Sequence, residues 1–237
     1  MSNQRGFLES VAVRVSAPYA CFTRPEMKVE RVTYPVMTPS AARGVLNAIF
    51  WKPEFLWYVK EIRVLKPIRH ISFVRNEVND TLSPTSALKE DFVYYADKDR
   101  AQRHTLALRD VEYLIKAEIR VVEGAEKNEY AYRDQFRRRV ERGQCYWRPY
   151  LGCREFSADF CPPTGDEQPI DLTDDLGRML FDIRHDLQNK RGEPLFFSAR
   201  LEKGILRVPQ ELYEVLYANV PPRPPRTNPT EPIQEEE

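Results

Sequence analysis

The sequence predicts an α+β fold in two parts, a larger sheet-and-helix domain followed by a smaller β-rich one. Three observations carry this. Strand-like and helix-like hydrophobic periods alternate over residues 1–143 in the order strand, helix, strands, helix. Turn-bounded, aromatic-rich runs of β character dominate residues 144–219. A Pro-rich stretch from about Pro221, ending in Glu235, Glu236 and Glu237, makes residues 220–237 an expected disordered tail.

With 237 residues and 42% apolar content, the chain can bury a sizeable core. No run approaches the roughly 18 apolar residues of a membrane span, and Met1 to Arg5 lacks the apolar stretch of a signal peptide, so a cytoplasmic protein with no membrane contact is expected. The cysteines at 21, 145, 153 and 161 form no Cys-x-x-Cys pair, which favours free thiols over disulfides or zinc. Neither a metal nor a cofactor is expected.

The formal net charge is zero, which argues against a nonspecific nucleic-acid binder. Its distribution is uneven, because residues 1–160 hold 27 Lys and Arg against 21 Asp and Glu, whereas residues 161–237 hold 9 against 15. From Arg43 to Arg75 the basic residues Arg43, Lys52, Lys60, Arg63, Lys66, Arg69 and Arg75 face only Glu54 and Glu61. Such a stripe suits phosphates, although a solvated charged face is the commoner origin of a charge run.

The elements follow in order. Phe7 to Phe22 alternates loosely and predicts a first strand. Thr38-Pro39-Ser40 is a helix start, with Thr38 as cap and Pro39 at the first position, where its missing N–H costs nothing. Ala42, Val45, Leu46 and Ile49 then form one apolar face, with Arg43, Asn47 and Phe50 on a flank. An exposed aromatic beside Arg and Asn would suit stacking on a base, whereas Phe50 could equally widen the core stripe. Pro53 ends the helix, and residues 56–74 form one long strand or two. Residues 76–91 are turn-rich, a loop or the tip of an extended insertion. Residues 105–122 predict a further strand, and a basic helix from about Asn128 to Arg142 carries Arg133, Arg137, Arg138 and Arg139. This order fits a ferredoxin-like or RRM-type domain with an inserted hairpin or loop. The run Tyr146 to Phe156 opens the second, antiparallel part. That part includes Leu195–Leu206 with a turn at Gly204, and Asp171–His185 is either a short helix or a strand.

Of the chemistry-bearing patterns, no phosphate-binding glycine loop, Gly-x-Ser-x-Gly elbow or His-Glu-x-x-His helix is present. His70 fits a structural role and His185 a surface one. His104 lies in Asp97-Lys98-Asp99-Arg100-Ala101-Gln102-Arg103-His104, a cationic loop leading into a strand. Cutting RNA without metal needs a proton acceptor for the 2′-OH, a donor to the leaving oxygen and positive charge at the phosphate. A histidine beside Arg103 and Arg100 would supply two of these.

Four ordered stretches carry a family resemblance: Tyr34 to Phe55, with Ile49-Phe50-Trp51-Lys52-Pro53 at its end; Ile62 to Ile68; Gln102 to Val111; and Tyr150-Leu-Gly-Cys-Arg-Glu-Phe156. Together they resemble the fifth CRISPR-associated (Cas) family in its subtype I-C (Dvulg) form, within the RAMP superfamily. The resemblance implies an N-terminal ferredoxin-like RNA-binding domain and a small C-terminal β-sheet part. It also implies a protein that binds the repeat stem-loop of precursor CRISPR RNA, cleaves at its 3′ base without metal and stays on the 5′ handle. The partners implied are CRISPR repeat RNA and the backbone and large subunits of the type I-C Cascade complex. In the family the proposed site uses a tyrosine in the Ile-Tyr-Trp-Lys-Pro motif and a Lys-His pair in a later loop. Here Phe50 stands in the tyrosine position, and Gln102-Arg103-His104 matches the pair only with His104 shifted by one place. Tyr58, Tyr94 and Tyr95 are the candidates for the missing hydroxyl.

Two functions follow as expectations. In one, the chain is a metal-independent endoribonuclease, with His104 in proton transfer, Arg103 and Arg100 at the phosphate, Phe50 shaping the site, and Arg43, Lys52, Arg69, Arg75, Lys98 and Arg100 holding the RNA. In the other it is a noncatalytic subunit that caps the 5′ handle. The basic surface would also bind duplex DNA weakly under either.

Overall fold

A computed structural model of the chain describes residues 10–79, 81–88, 92–185 and 192–218. The tail expected at 220–237 and the start of the first expected strand, residues 7–9, lie outside them. Where the alternation predicts the first strand, β1 (Val11–Ala20) forms, and its inward-facing Val11, Val13, Val15 and Ala17 are buried. The next short strand is β2 (Arg31–Val32), reached through a 3-10 turn at Pro25–Met27.

Helix α1 (Pro39–Ile49) starts as its sequence dictates. Thr38 Oγ1 accepts the Ala41 N–H at 3.3 Å, and the face made by Ala42, Val45, Leu46 and Ile49 is buried against β3 (Phe55–Val64) and β7 (Asp174–His185). The stretch expected as one strand or two is β3 followed by β4 (His70–Val78). A single helical turn, α2 (Pro84–Ala87), lies between β4 and the 22-residue β5 (Arg100–Val121). Helix α3 (Glu129–Glu141) is the expected basic helix, with Asn128 Oδ1 accepting the Ala131 N–H at 3.1 Å and Tyr132, Phe136 and Val140 facing the sheet. After it come β6 (Asp159–Cys161), β7, β8 (Gly192–Glu202), β9 (Ile205–Arg207) and the short α4 (Leu212–Tyr217).

The strands form one curled, mainly antiparallel nine-stranded sheet in the order β6-β1-β5-β3-β9-β8-β7, with β2 and β4 also pairing with β5. β5 organises it. Its C-terminal half pairs with β1 and β3, while its N-terminal half pairs with β4 as a long hairpin, and the two regimes meet near Asp110, whose φ is 51°. The β8–β9 turn is made by Lys203 at φ 47° and Gly204 at φ 72°, a pairing of two left-handed residues that suits a two-residue hairpin. A Cβ on Gly204 would stand 2.4 Å from the Ile170 carbonyl oxygen, so glycine is required there on two counts.

Three expectations are corrected. His104 lies within β5 and not in a loop, because the strand already begins at Arg100, paired with Val78. The run Tyr146–Phe156 does not open a second sheet. It docks back on the first half, through Tyr146 N–H to the Ala48 carbonyl at 2.8 Å and Cys21 N–H to the Leu151 carbonyl at 3.0 Å. Of the two forms open to Asp171–His185, the chain takes the strand, β7. All four cysteines are free, and no described helix is long and apolar enough to cross a membrane.

Candidate nucleic-acid interface

The residues singled out from sequence do not converge. Phe50 is 1% exposed: it caps α1 and packs on Phe55 and Tyr132, with ring centroids at 5.2 and 6.5 Å, so it continues the core stripe and offers no ring to a ligand. His104 is exposed on the hairpin, opposite Val74. Phe55, which Phe50 packs against, pairs with Val121. From His104 to Val121 is roughly 55 Å of strand, at about 3.3 Å per residue. Arg103 and His104 are neighbours on a strand and so point to opposite faces. Arg103 holds Glu77 at 3.0 Å on one face, and Arg100 and Gln102 share the other with His104.

The expected RNA-binding cations differ in what they already hold. Arg43 makes two hydrogen bonds to Asp182, at 2.6 and 2.8 Å, tying α1 to β7. Burial works against its charge, but the bonds and charge of Asp182 outweigh it and the pKa is raised. Arg75 is shared between Glu77 at 2.9 Å and Glu155 at 2.5 Å. Arg69 has a long contact with Asp110 at 3.9 Å, Arg100 donates to the Asp97 carbonyl at 3.3 Å, and Lys98 lies over the Tyr95 ring at 4.4 Å. His70 and His185 are both exposed. Of the tyrosines considered for the missing hydroxyl, Tyr58 is covered by Arg120 at 3.9 Å, Tyr94 donates to Asp99 at 2.6 Å, and Tyr95 is on the hairpin insertion.

Lys52 alone among those cations lines the cavity that stands out chemically. This cavity, of 710 Å³, is formed where α1 ends against α3, and its walls include Asn47, Trp51, Lys52, Glu54, Arg139, Tyr146 and Trp147. Its construction follows from helix-end physics. The last carbonyls of α1 have no partner within the helix. Ile49 O accepts from Arg139 Nη1 at 2.8 Å and Ala48 O from the Tyr146 N–H, so α3 and the following loop are held at the helix end. The Arg139 guanidinium also lies over the Phe50 ring at 5.2 Å. The same contacts hold three aromatic rings outward, Trp51 at 49%, Tyr146 at 76% and Trp147 at 58% exposure.

At Arg139 this cavity adjoins a second, of 370 Å³, lined by Lys127, Gln135, Arg138, Arg139, Arg142 and Gln144. Among the described residues, none of Lys52, Lys127, Arg138, Arg139 and Arg142 has a carboxylate within ion-pair distance. Their neighbours on α3 differ, since Arg133 pairs with Glu129 and Arg137 with Asp134 at 3.8 Å. Five uncompensated cations beside three exposed rings make a surface that can hold phosphates and stack bases. Sequence reasoning found the basic helix and the aromatic run but did not join them. The signal that could have joined them was the spacing of Arg138, Arg139 and Arg142, which share one side of a helix.

A family model described as CRISPR-associated protein (Cas_Cas5), in its Cas5d form, matches residues 10–209. The CRISPR pre-crRNA endoribonuclease Cas5d of Thermus thermophilus is 46% identical over 221 residues, covering 86% of this chain and 93% of that one. Its counterpart of the same name from Mannheimia succiniciproducens is 41% identical over 216 residues, covering 84% and 94%. Among solved structures, a CRISPR-associated protein (TM-score 0.62) and a functionally uncharacterized protein from Streptococcus mutans (TM-score 0.61) share the fold, each at 20% identity over 85% of this chain and 93% of theirs. With the family model spanning most of the described fold, the chain belongs to the CRISPR-associated Cas5 family, in its type I-C, Cas5d form.

Proposed function

We propose that this chain binds the repeat stem-loop of precursor CRISPR RNA, cuts it without a metal ion and stays on the resulting 5′ handle as a subunit of the type I-C interference complex. The observation that carries the reading is the row of uncompensated cations around the aromatic cavity. The names of the two relatives, both pre-crRNA endoribonucleases, point the same way. The proposal puts the scissile phosphate at this cavity, where Lys52 and Arg139 offset the charge that builds on it and the aromatic rim holds the flanking bases in line. Glu126 is a carboxylate lining it that could accept a proton. His104, expected to move a proton, is then a contact of the hairpin with the RNA. Arg69, Lys98 and Arg100 extend that contact, and Arg43, Arg75 and Arg103 act mainly through the carboxylates they hold.

The handle-capping alternative is supported by Phe50, which stands in the family's tyrosine position without a hydroxyl. Docking on the backbone and large subunits of Cascade, and weak binding of duplex DNA, belong to the same proposal, as does action in the cytoplasm. We further infer a ferredoxin-like unit in the first half. Its support is the chain order β1, α1, β3, β5, α3, β6 with spatial order β6-β1-β5-β3. The division proposed at residue 143 is then refined, because β6 closes that unit at about residue 161 and the small β7–β9 part follows.

Incubating the protein with its cognate repeat RNA in EDTA tests the reading. A single cut, blocked by a 2′-deoxy substitution at the scissile nucleotide, is expected. Binding with no cut would make the chain a handle-capping subunit.

A further inference from the structure

Glu54 is out of place in a phosphate-binding cavity. It lines the same 710 Å³ space as Lys52 and Arg139, yet no described residue hydrogen-bonds or ion-pairs with its carboxylate. Its Oε2 is buried without a partner. The backbone beneath it is fixed, since its carbonyl accepts the Val122 N–H at 3.0 Å and Phe55 next to it is in the core. A buried acceptor left unsatisfied is costly and needs an explanation. Neither cation of the cavity answers it: Arg139 is turned to Ile49 O and the Phe50 ring, and Lys52, on the same wall, makes no ion pair with it among the described residues.

We propose that this cavity is a nucleobase pocket selective for an unpaired guanine, with Glu54 reading the base. The proposal rests on the RNA-binding reading above and deepens it. A carboxylate is an acceptor only, with two oxygens side by side. Guanine is the one RNA base whose Watson–Crick edge offers two parallel donors, N1–H and the 2-amino group. Adenine and cytosine each set one amino donor beside a ring acceptor, and uracil sets its single N–H between two carbonyls that a carboxylate repels. Rotation about the terminal torsion of glutamate, which is broad, turns Oε2 from its buried position towards such an edge. The exposed Trp51 indole and the Tyr146–Trp147 pair, with ring centroids 4.9 Å apart, supply the stacking faces. Lys52 and Arg139 take the phosphates on either side of the base, and their charge eases the approach of the RNA to a carboxylate.

The test uses short uridine single strands carrying one central guanosine, adenosine, cytidine or inosine. They are titrated by tryptophan quenching against the full chain and its Glu54→Gln variant, with the repeat stem-loop as a parallel probe. Guanosine should bind about tenfold or more tighter than adenosine and cytidine, with inosine, which lacks the 2-amino group, in between. In Glu54→Gln the preference should shrink to about twofold while adenosine binding is unchanged. Equal binding of all probes overturns the proposal, as does a guanine preference that survives in the variant. A uniform loss across all probes also overturns it, because it makes Glu54 a structural residue and not a reader. Trp51→Ala should weaken every probe alike and leave the preference intact. Failure to bind the stem-loop at all would strike the RNA-binding reading itself, whereas stem-loop binding without base preference would remove only the guanine pocket.

Discussion

Arg43, in the second turn of α1, and Lys52, just beyond its end, are nine residues apart, and what separates their roles is the company each keeps. Asp182, the partner of Arg43, is only 4% exposed. Removing the guanidinium would leave a buried carboxylate with its charge unanswered, a change that typically destabilises by about 3–5 kcal/mol. Arg43→Ala should therefore lower the denaturant midpoint strongly, and the folded fraction should bind RNA with wild-type affinity. A shift below about 1 kcal/mol would mean that Asp182 finds another partner. Lys52→Ala removes no such pair and should leave stability within about 0.5 kcal/mol of wild type. From sequence the two look alike, a basic residue on or beside a helix, because charge is legible and its compensation by a residue more than a hundred positions away is not. Phe50 shows the opposite case. It follows Leu46 by one helical turn, so the spacing already allowed it to be core, and it is core.

At the scale of elements, the starts of α1 and α3 were legible because each carries its own N-cap, Thr38 and Asn128, whereas α1 ends at Ile49, before the Pro53 expected to stop it. Which arginines of α3 stay available was not legible, since that depends on Glu129 folding onto Arg133 and on α1 ending at Arg139. Replacing Arg138 and Arg142 together by alanine should lower the slope of log affinity against log salt by roughly 0.7 for each single-strand phosphate that these side chains neutralise. An unchanged slope would take these two residues off the RNA path. The hairpin of β4 and β5 was harder to foresee, because the polar, charged run 97–104 has loop composition and is a strand only through its pairing with β4. In the β8–β9 hairpin, by contrast, Gly204 marked the turn in advance. Gly204→Ala puts a methyl against the Ile170 carbonyl in a left-handed residue and should cost about 1–3 kcal/mol in thermal unfolding.

Across the whole molecule, the two parts anticipated from sequence share one sheet. β9 pairs with β3, and β6, from beyond the expected boundary, pairs with β1. Composition separates the halves by charge, but it cannot reveal that strands from the second complete the sheet of the first. A net charge of zero likewise hides five cations at the α1–α3 junction that make no ion pair among the described residues. That junction and the His104 hairpin lie towards opposite ends of the 22-residue β5, and the proposed cut draws on the junction. The most direct measurement is therefore the rate of repeat-RNA cleavage in EDTA by wild type, Lys52→Ala and His104→Ala, followed on a denaturing gel. A cut at the α1–α3 junction predicts a loss of about 10²-fold or more for Lys52→Ala and a rate within about threefold of wild type for His104→Ala. The reverse pattern, with His104 essential and Lys52 dispensable, would contradict it and move the cut to the hairpin.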